Sequence, residues 1–257
     1  MKGKGIPFPS WFPLHQDMVE SADFVGLSAT KKLCWLTLLD RFNEHGPFYL
    51  SDLELGITAG CSLFAARQAR RRFEKLKWIT TKHGFKAPGR QGGVATRYES
   101  VQWATTGTGA DGAANRFAPM HRHAFRVLLS YVRGKWFSPK DVVVYIALVF
   151  WRHTHDNDDQ DDFFITKREL REFTGLADAP ERVRTLHDRF KFSTGDHLFE
   201  FRDGYQRLTI SKWATFADPS DDETNRKRAE ALAQDIRDGV RQARKPKGRK
   251  PKRKAKR

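Results

Sequence analysis

Residues 48–79 decide the fold, and they read FYLSDLELGITAGCSLFAARQARRRFEKLKWI. A short extended piece leads into Ser51-x-x-Glu54, the reciprocal capping box that opens a helix. Gly60 follows where a tight turn requires a positive φ, and Ser62 is suited to cap a second helix. The stretch therefore predicts a helix-turn-helix unit.

The same design occurs a second time, about 110 residues further along the chain. In both copies an apolar helical stretch precedes the extended piece, and a Trp-Ala pair closes the unit. The matching landmarks are Ser28 and Ser138 before the apolar helices, Thr166-x-x-Glu169, Gly175 in the place of Gly60, and the pairs Trp103-Ala104 and Trp213-Ala214.

A β-hairpin is predicted after each helix-turn-helix. In the second copy Leu198–Arg202 alternates in polarity, Asp203-Gly204 predicts a two-residue turn, and Tyr205–Ile210 returns. In the first copy the strands are Trp78–Lys82 and Thr96–Gln102. They flank a glycine-rich loop without acidic residues, and the basic side chains of this wing are Lys82, Lys86, Arg90 and Arg97.

The predicted fold is α+β, with two tandem winged-helix domains and a disordered basic tail. Residues 105–116 are small and polar and predict a flexible linker. The domains are then 1–104 and 117–217, with Met120–Val132 as a helix that introduces the second. Residues 218–257 form the tail, which includes a short helical pattern.

Basic residues are unevenly distributed, and they favour nucleic acid as the partner. The chain has 47 Lys and Arg against 31 Asp and Glu, a formal charge of +16. Residues 1–104 carry 15 basic and 9 acidic residues, residues 117–217 carry 16 and 14, and residues 218–257 carry 15 and 7. Residues 241–257 hold eleven Lys or Arg and no acid, which predicts binding to phosphates without base reading, although a nuclear address signal has the same composition. The tail residues expected on DNA are Arg249, Lys250, Lys252, Arg253 and Lys254.

Other features exclude several classes of protein. The longest apolar run, Val142–Trp151, is far shorter than the roughly 20 residues of a membrane span. The N-terminus lacks the features of a secretory signal, so a cytoplasmic, nucleoid-associated protein is expected. Cys34 and Cys61 form neither a disulfide framework nor a zinc pattern, and we expect reduced core residues and no cofactor or metal.

The helix that begins after Ser62 separates into two faces on a helical wheel. Its core face consists of Ala66, Ala69, Phe73 and Leu76. Its outward face consists of Phe64, Arg67, Gln68, Arg71 and Lys75, flanked by Arg70 and Arg72. Arg and Gln can pair with guanine and adenine edges in the major groove, and Phe64 can contact a thymine methyl. A basic helix face is ordinarily a solvated surface, but its place before a basic wing favours DNA contact. The expected DNA-binding set is therefore the four basic residues of the wing together with Ser62, Phe64, Arg67, Gln68, Arg70, Arg71, Arg72 and Lys75.

The first unit resembles the winged-helix domain at the front of phage and plasmid replication proteins. The residues that carry the resemblance are Phe24-x-x-Leu27-Ser and Gly60-Cys-Ser-x-x-x-Ala-Arg-x-Ala-Arg-Arg-x-Phe-Glu-Lys-Leu-Lys-Trp-Ile79. The two-unit layout is also similar to plasmid replication initiators, whose tandem winged-helix domains bind origin repeats. The resemblance implies a replication initiator or a transcriptional regulator that binds double-stranded DNA.

The second unit is expected to bind protein rather than bases. Its corresponding helix presents Glu181, Arg184 and Asp188, and acidic groups there would repel phosphates. We therefore expect a homodimer contact through this unit, or contact with host replication proteins. Asp156–Asp162 lacks the glycine and the final glutamate of a calcium loop and is expected to be a solvated turn.

A DNA-nicking enzyme is a minor alternative. His121-Arg-His123 and His153-Thr-His155 resemble the paired histidines of relaxases, with Tyr131 as a conceivable nucleophile. Those motifs place an apolar residue between the histidines, whereas Arg and Thr stand there in this chain. A non-enzymatic protein is the expectation.

Overall fold

The computed structural model describes residues 11–86, 94–104, 117–155, 162–189, 197 and 199–211. The first half consists of β1 (Trp11–His15), α1 (Gln16–Val19), α2 (Ala22–Val25), α3 (Ala29–His45), β2 (Phe48–Leu50), α4 (Asp52–Thr58), α5 (Leu63–Lys75), β3 (Ile79–Lys86) and β4 (Val94–Val101). The second half consists of β5 (Phe117–His121), α6 (Arg122–Arg133), α7 (Pro139–His155), β6 (Phe163–Thr166), α8 (Lys167–Thr174), α9 (Ala179–Arg189), β7 (Glu200–Asp203) and β8 (Arg207–Ser211). The α+β class is confirmed, and the order of elements repeats between the halves from α3 and α7 onward.

The predicted starts of four helices are confirmed by hydrogen bonds. Ser51 and Thr166 each form a complete capping box with the glutamate three residues later. Ser28 caps α3, and the Asp141 carboxylate accepts hydrogen bonds from the backbone N–H and the hydroxyl of Ser138 at the start of α7. Hydrogen bonds from nearby side chains thus determine where these helices begin.

The two helix-turn-helix segments also share their turn geometry. Gly60 and Gly175 have φ values of 68° and 65°, the left-handed region that glycine adopts without a steric cost. An alanine Cβ would lie 2.6 Å from Val132 Cγ1 at Gly60 and 2.6 Å from the Val25 carbonyl oxygen at Gly175. Each turn therefore packs closely against the other half of the chain.

Each half contains a three-stranded antiparallel sheet of the same topology, with orders β2-β4-β3 and β6-β8-β7. Both hairpins depart from the predictions. In the first, the strands β3 and β4 are longer than predicted and reach Lys86 and Val94. In the second, the turn is Tyr205-Gln206, closed by a hydrogen bond from the Gly204 amide to the Arg207 carbonyl. This register lies two residues beyond the predicted turn and sets the apolar Phe201 opposite Ile210.

A third, two-stranded sheet joins the halves and was missed by the sequence prediction. β1 pairs antiparallel with β5, from Trp11 opposite His121 to His15 opposite Phe117. β5 also corrects the predicted Met120–Val132 helix, since Met120 lies on the strand and α6 begins at Arg122.

The contacts between the halves follow an approximate two-fold relation. The equivalent helices α3 and α7 pack on each other, and the equivalent strands β1 and β5 pair. Two further contacts are reciprocal, because α2 lies against α8 and α4 lies against α6. The buried apolar side chains of both halves consequently form one continuous core.

Buried charges reinforce this junction. The Asp40 carboxylate of α3 accepts hydrogen bonds from Arg122 Nε at 2.6 Å and from Arg126 Nε at 2.9 Å, both on α6. Arg126 also pairs with Glu44. Burial alone would raise the pKa of Glu44, but the hydrogen bond and charge of Arg126 hold it below its ordinary value. The proposed linker at 105–116 lies outside the described residues.

Candidate nucleic-acid interface

Helix α5 is held by a polar cap and an apolar face. Ser62 accepts a hydrogen bond from the Ala65 amide at 3.2 Å. Ala66, Ala69 and Phe73 are fully buried, and the Phe73 ring lies 5.2 Å from that of Trp35. Leu76 packs partly buried against the same core. The core face predicted from the wheel is confirmed.

The opposite face of α5 is exposed, as predicted. The exposed residues include Ser62, Phe64, Arg67, Gln68, Arg71 and Lys75. Phe64 is 70% exposed, and the neighbouring Leu63, which was not predicted to belong to this face, is 42% exposed. The face thus combines cations, an amide and two apolar side chains at the beginning of the helix. This is the composition that base edges and thymine methyl groups can bind.

Arg70 is placed differently from the prediction. Its side chain is 10% exposed. Its guanidinium donates to both Asp52 carboxylate oxygens, at 2.7 and 3.2 Å, and to Glu74 Oε1 at 2.7 Å. Burial alone would raise the pKa of Asp52, but the hydrogen bonds and charges of Arg70 and Arg67 hold it below its ordinary value. Arg70 therefore joins α5 to the start of α4 instead of facing outward, which corrects its assignment to the DNA-binding set.

Two further, more exposed arginines of α5 also have acidic partners. Arg67 Nε lies 3.3 Å from Asp52 Oδ2, although the Arg67 side chain remains 48% exposed. Arg72 Nη2 lies 2.9 Å from Asp23 Oδ1, with both side chains substantially exposed. The Arg72–Asp23 pair is exposed on both sides and contributes little to stability, so Arg72 can exchange its carboxylate for a phosphate. The exposed Arg67 can do the same, because Arg70 still pairs with Asp52.

Two of the cations predicted for the wing, on the strands β3 and β4, share an acidic partner. Lys82 Nζ lies 2.7 Å from Glu99 Oε1, and Arg97 Nη1 lies 3.8 Å from the same oxygen. Arg97 also lies over the Tyr49 ring, 5.9 Å from its centroid. Glu99 lies two positions after Arg97 on β4, with the buried Tyr98 between them, and this spacing was the sequence signal that the two side chains share a face. Lys86 lies on β3, while Arg90 and the five tail residues Arg249, Lys250, Lys252, Arg253 and Lys254 lie outside the described residues.

Helix α9 of the second half has a buried face equivalent to that of α5, but its exposed face has different charges. Val183 and Leu186 are fully buried in the places of Ala66 and Ala69. Counted from these residues, the exposed Arg184 corresponds to Arg67 and the exposed Asp188 corresponds to Arg71. The alternation of charge predicted for this face is confirmed.

The residues considered for strand nicking belong to β5, α6 and α7, and not to α5 or α9. Tyr131 packs against the core with its ring 5.6 Å from that of Phe137. His153 is exposed near the end of α7. Within the described ranges, no group of three or more His, Cys, Asp or Glu side chains is arranged to hold a metal ion.

Comparison of the chain with protein-family models, with curated proteins and with solved structures finds no match. Across the described residues, no helix has both the length and the apolar character needed to cross a membrane.

Proposed function

We propose that this protein binds double-stranded DNA in a sequence-specific manner through the first of two tandem winged-helix units. The exposed face of α5 supports the proposal most directly, because it presents Arg67, Gln68 and Arg71 beside Phe64 with no acidic residue among them. The preceding helix, the tight turn at Gly60 and the following hairpin are the order of elements in a helix-turn-helix with a wing.

The second unit has another role in this proposal. Glu181 and Asp188 would face phosphates if α9 entered a groove, and like charges at an interface are repulsive. Mixed charge suits a protein partner, so we assign self-association or contact with host replication proteins to this unit. The resemblance of the first unit favours initiation of plasmid or phage replication at origin repeats, and transcriptional regulation is the alternative.

The test is selection of duplexes from a random-sequence library by the full chain, followed by titration of a selected and a scrambled duplex. Arg67→Ala combined with Arg71→Ala should abolish the preference for the selected duplex, since both side chains are exposed on α5. Arg184→Ala is the matched control, because it removes the equivalent cation from α9 and should leave the preference unchanged.

Two results would contradict the proposal. One is that no duplex is enriched over repeated rounds of selection. The other is that Arg184→Ala removes the preference while the double variant of α5 keeps it. Mapping the enriched sequence to an origin or to a promoter then separates replication from transcription.

A further inference from the structure

Two cysteine side chains meet between α3 and the turn that precedes α5. Cys34 is fully buried on α3, and Cys61 is partly exposed in the turn. Their sulfur atoms lie 3.7 Å apart, although 27 positions separate the residues in the chain. The Cys61 amide donates to the Gly56 carbonyl at 2.7 Å, which fixes the turn and holds the two thiols against each other.

We propose that Cys34 and Cys61 are a reactive dithiol that a peroxide oxidises to a disulfide within one chain. This inference does not depend on the proposed function. The two thiols are unlike: the hydrogen bond from Cys34 lowers the pKa of Cys61, while the same contact and burial raise the pKa of Cys34. Cys61, which solvent reaches, is therefore the attacking sulfur, and Cys34 is the resolving sulfur.

The reaction needs hydrogen peroxide as its oxidant. The Cys61 thiolate attacks one peroxide oxygen, the O–O bond breaks, and hydroxide leaves and takes up the thiol proton as water. Cys34 sulfur then attacks the sulfur of the resulting sulfenic acid. The S–O bond breaks, and the hydroxide that leaves takes the Cys34 proton as a second water. Two thiols and one peroxide thus yield one disulfide and two waters.

The bond would fix the beginning of α5 to the middle of α3. A disulfide has a sulfur separation of about 2.05 Å, so the thiols must approach by about 1.6 Å. Cys61 directly precedes Ser62, the N-cap of α5. The cross-link also closes a loop that includes β2 and α4, which restricts the unfolded chain.

The first measurement needs no variant. The full chain is treated with hydrogen peroxide and its intact mass is determined without reductant. We expect the loss of two hydrogens per chain, no covalent dimer, reversal by a thiol reductant, and a rise of several degrees in the unfolding midpoint. Retention of both free thiols, or a disulfide between two chains, would overturn the proposal.

Two variants test the order of attack. Cys34→Ser leaves Cys61 without a resolving thiol, so sulfenic acid should accumulate there and react with dimedone. Cys61→Ser leaves Cys34 buried, and it should label far more slowly in the folded protein. Equal labelling of the two folded variants would contradict the assignment of Cys61 as the attacking sulfur.

Discussion

The adjacent residues Arg70 and Arg71 test which side of α5 faces the protein and which side faces DNA. Arg70 is 10% exposed and bonded to Asp52 and Glu74, whereas the neighbouring Arg71 is exposed. Arg70→Ala should therefore destabilise the fold with little direct effect on DNA contact, and Arg71→Ala should do the reverse. The two substitutions remove the same atoms one position apart.

The magnitudes follow from the contacts of each side chain. Removing one partner of a buried ion pair costs about 3–5 kcal/mol, and the lower end applies to Arg70→Ala because Asp52 remains 12% exposed beside Arg67. A loss of about 3 kcal/mol lowers the unfolding midpoint by roughly 6–12 °C in a chain of this length. Arg71→Ala should change stability by less than about 0.5 kcal/mol. It should weaken binding to the selected duplex by about 1–3 kcal/mol, roughly 5- to 150-fold.

Thermal unfolding without DNA measures the first effect, and fluorescence anisotropy on selected and scrambled duplexes measures the second. Asp52→Asn is the control for the ion pair. The double variant Asp52→Asn with Arg70→Ala should lose much less stability than the sum of the losses in the two single variants, because both substitutions break the same interaction. The reasoning fails if Arg70→Ala leaves the unfolding midpoint unchanged and removes only the specific binding, because Arg70 would then face DNA.

Three further predictions concern packing, pH and the tail. Gly60→Ala and Gly175→Ala should each unfold at lower temperature than Gly84→Ala, because all three glycines have positive φ but only the first two would clash, at 2.6 Å; equal midpoints in thermal melts would contradict this. Burial lowers the pKa of Lys32 from 10.5 to about 8, so the unfolded chain binds more protons between these values and stability should rise with pH there, by up to about 1.4 kcal/mol per pH unit. Urea titrations should show this rise relative to Lys32→Met, and parallel pH profiles would contradict it. Deleting residues 241–257 should weaken binding to all duplexes alike and reduce the slope of log affinity against log salt by about 0.9 for each phosphate that the tail neutralises; a full slope in salt titrations would show that the tail is not on DNA.

Features set by neighbouring residues were predictable from the sequence. The capping box of Ser51 and Glu54 and the turn at Gly60 need only a few consecutive residues, and both were placed correctly. The buried stripe of α5 followed from the helical period for the same reason. The partner of Arg70 was not predictable, because Asp52 lies 18 positions away and the wheel gives only a boundary position.

The pairing of β1 with β5 was not predictable, because the two strands are far apart in the sequence and each contains a proline. Pro13 and Pro119 lie opposite each other in the middle of the two strands, and proline normally argues against a strand. A two-stranded sheet tolerates it, because each strand has a free edge where no ladder hydrogen bond is needed. The register of β7 and β8 was missed for a different reason. A two-residue shift of the turn keeps each side chain on the same face, so the polarity pattern fits both registers, with Phe199 opposite Leu208 in the predicted one and Phe201 opposite Ile210 in the observed one.

The sheet formed by β1 and β5 also constrains when the chain can fold as it is made. Residues 11–15 leave the ribosome before the rest of the first half, but their partners at 117–121 emerge only after that half has been synthesised. Until then β1 lacks its partner, and the faces of α3 and α4 that contact α7 and α6 stay uncovered. These contacts between the halves must therefore wait for the second half, and contacts between segments so distant in sequence form slowly. A nascent chain stalled before residue 117 would expose apolar surface to chaperones and proteases throughout that interval.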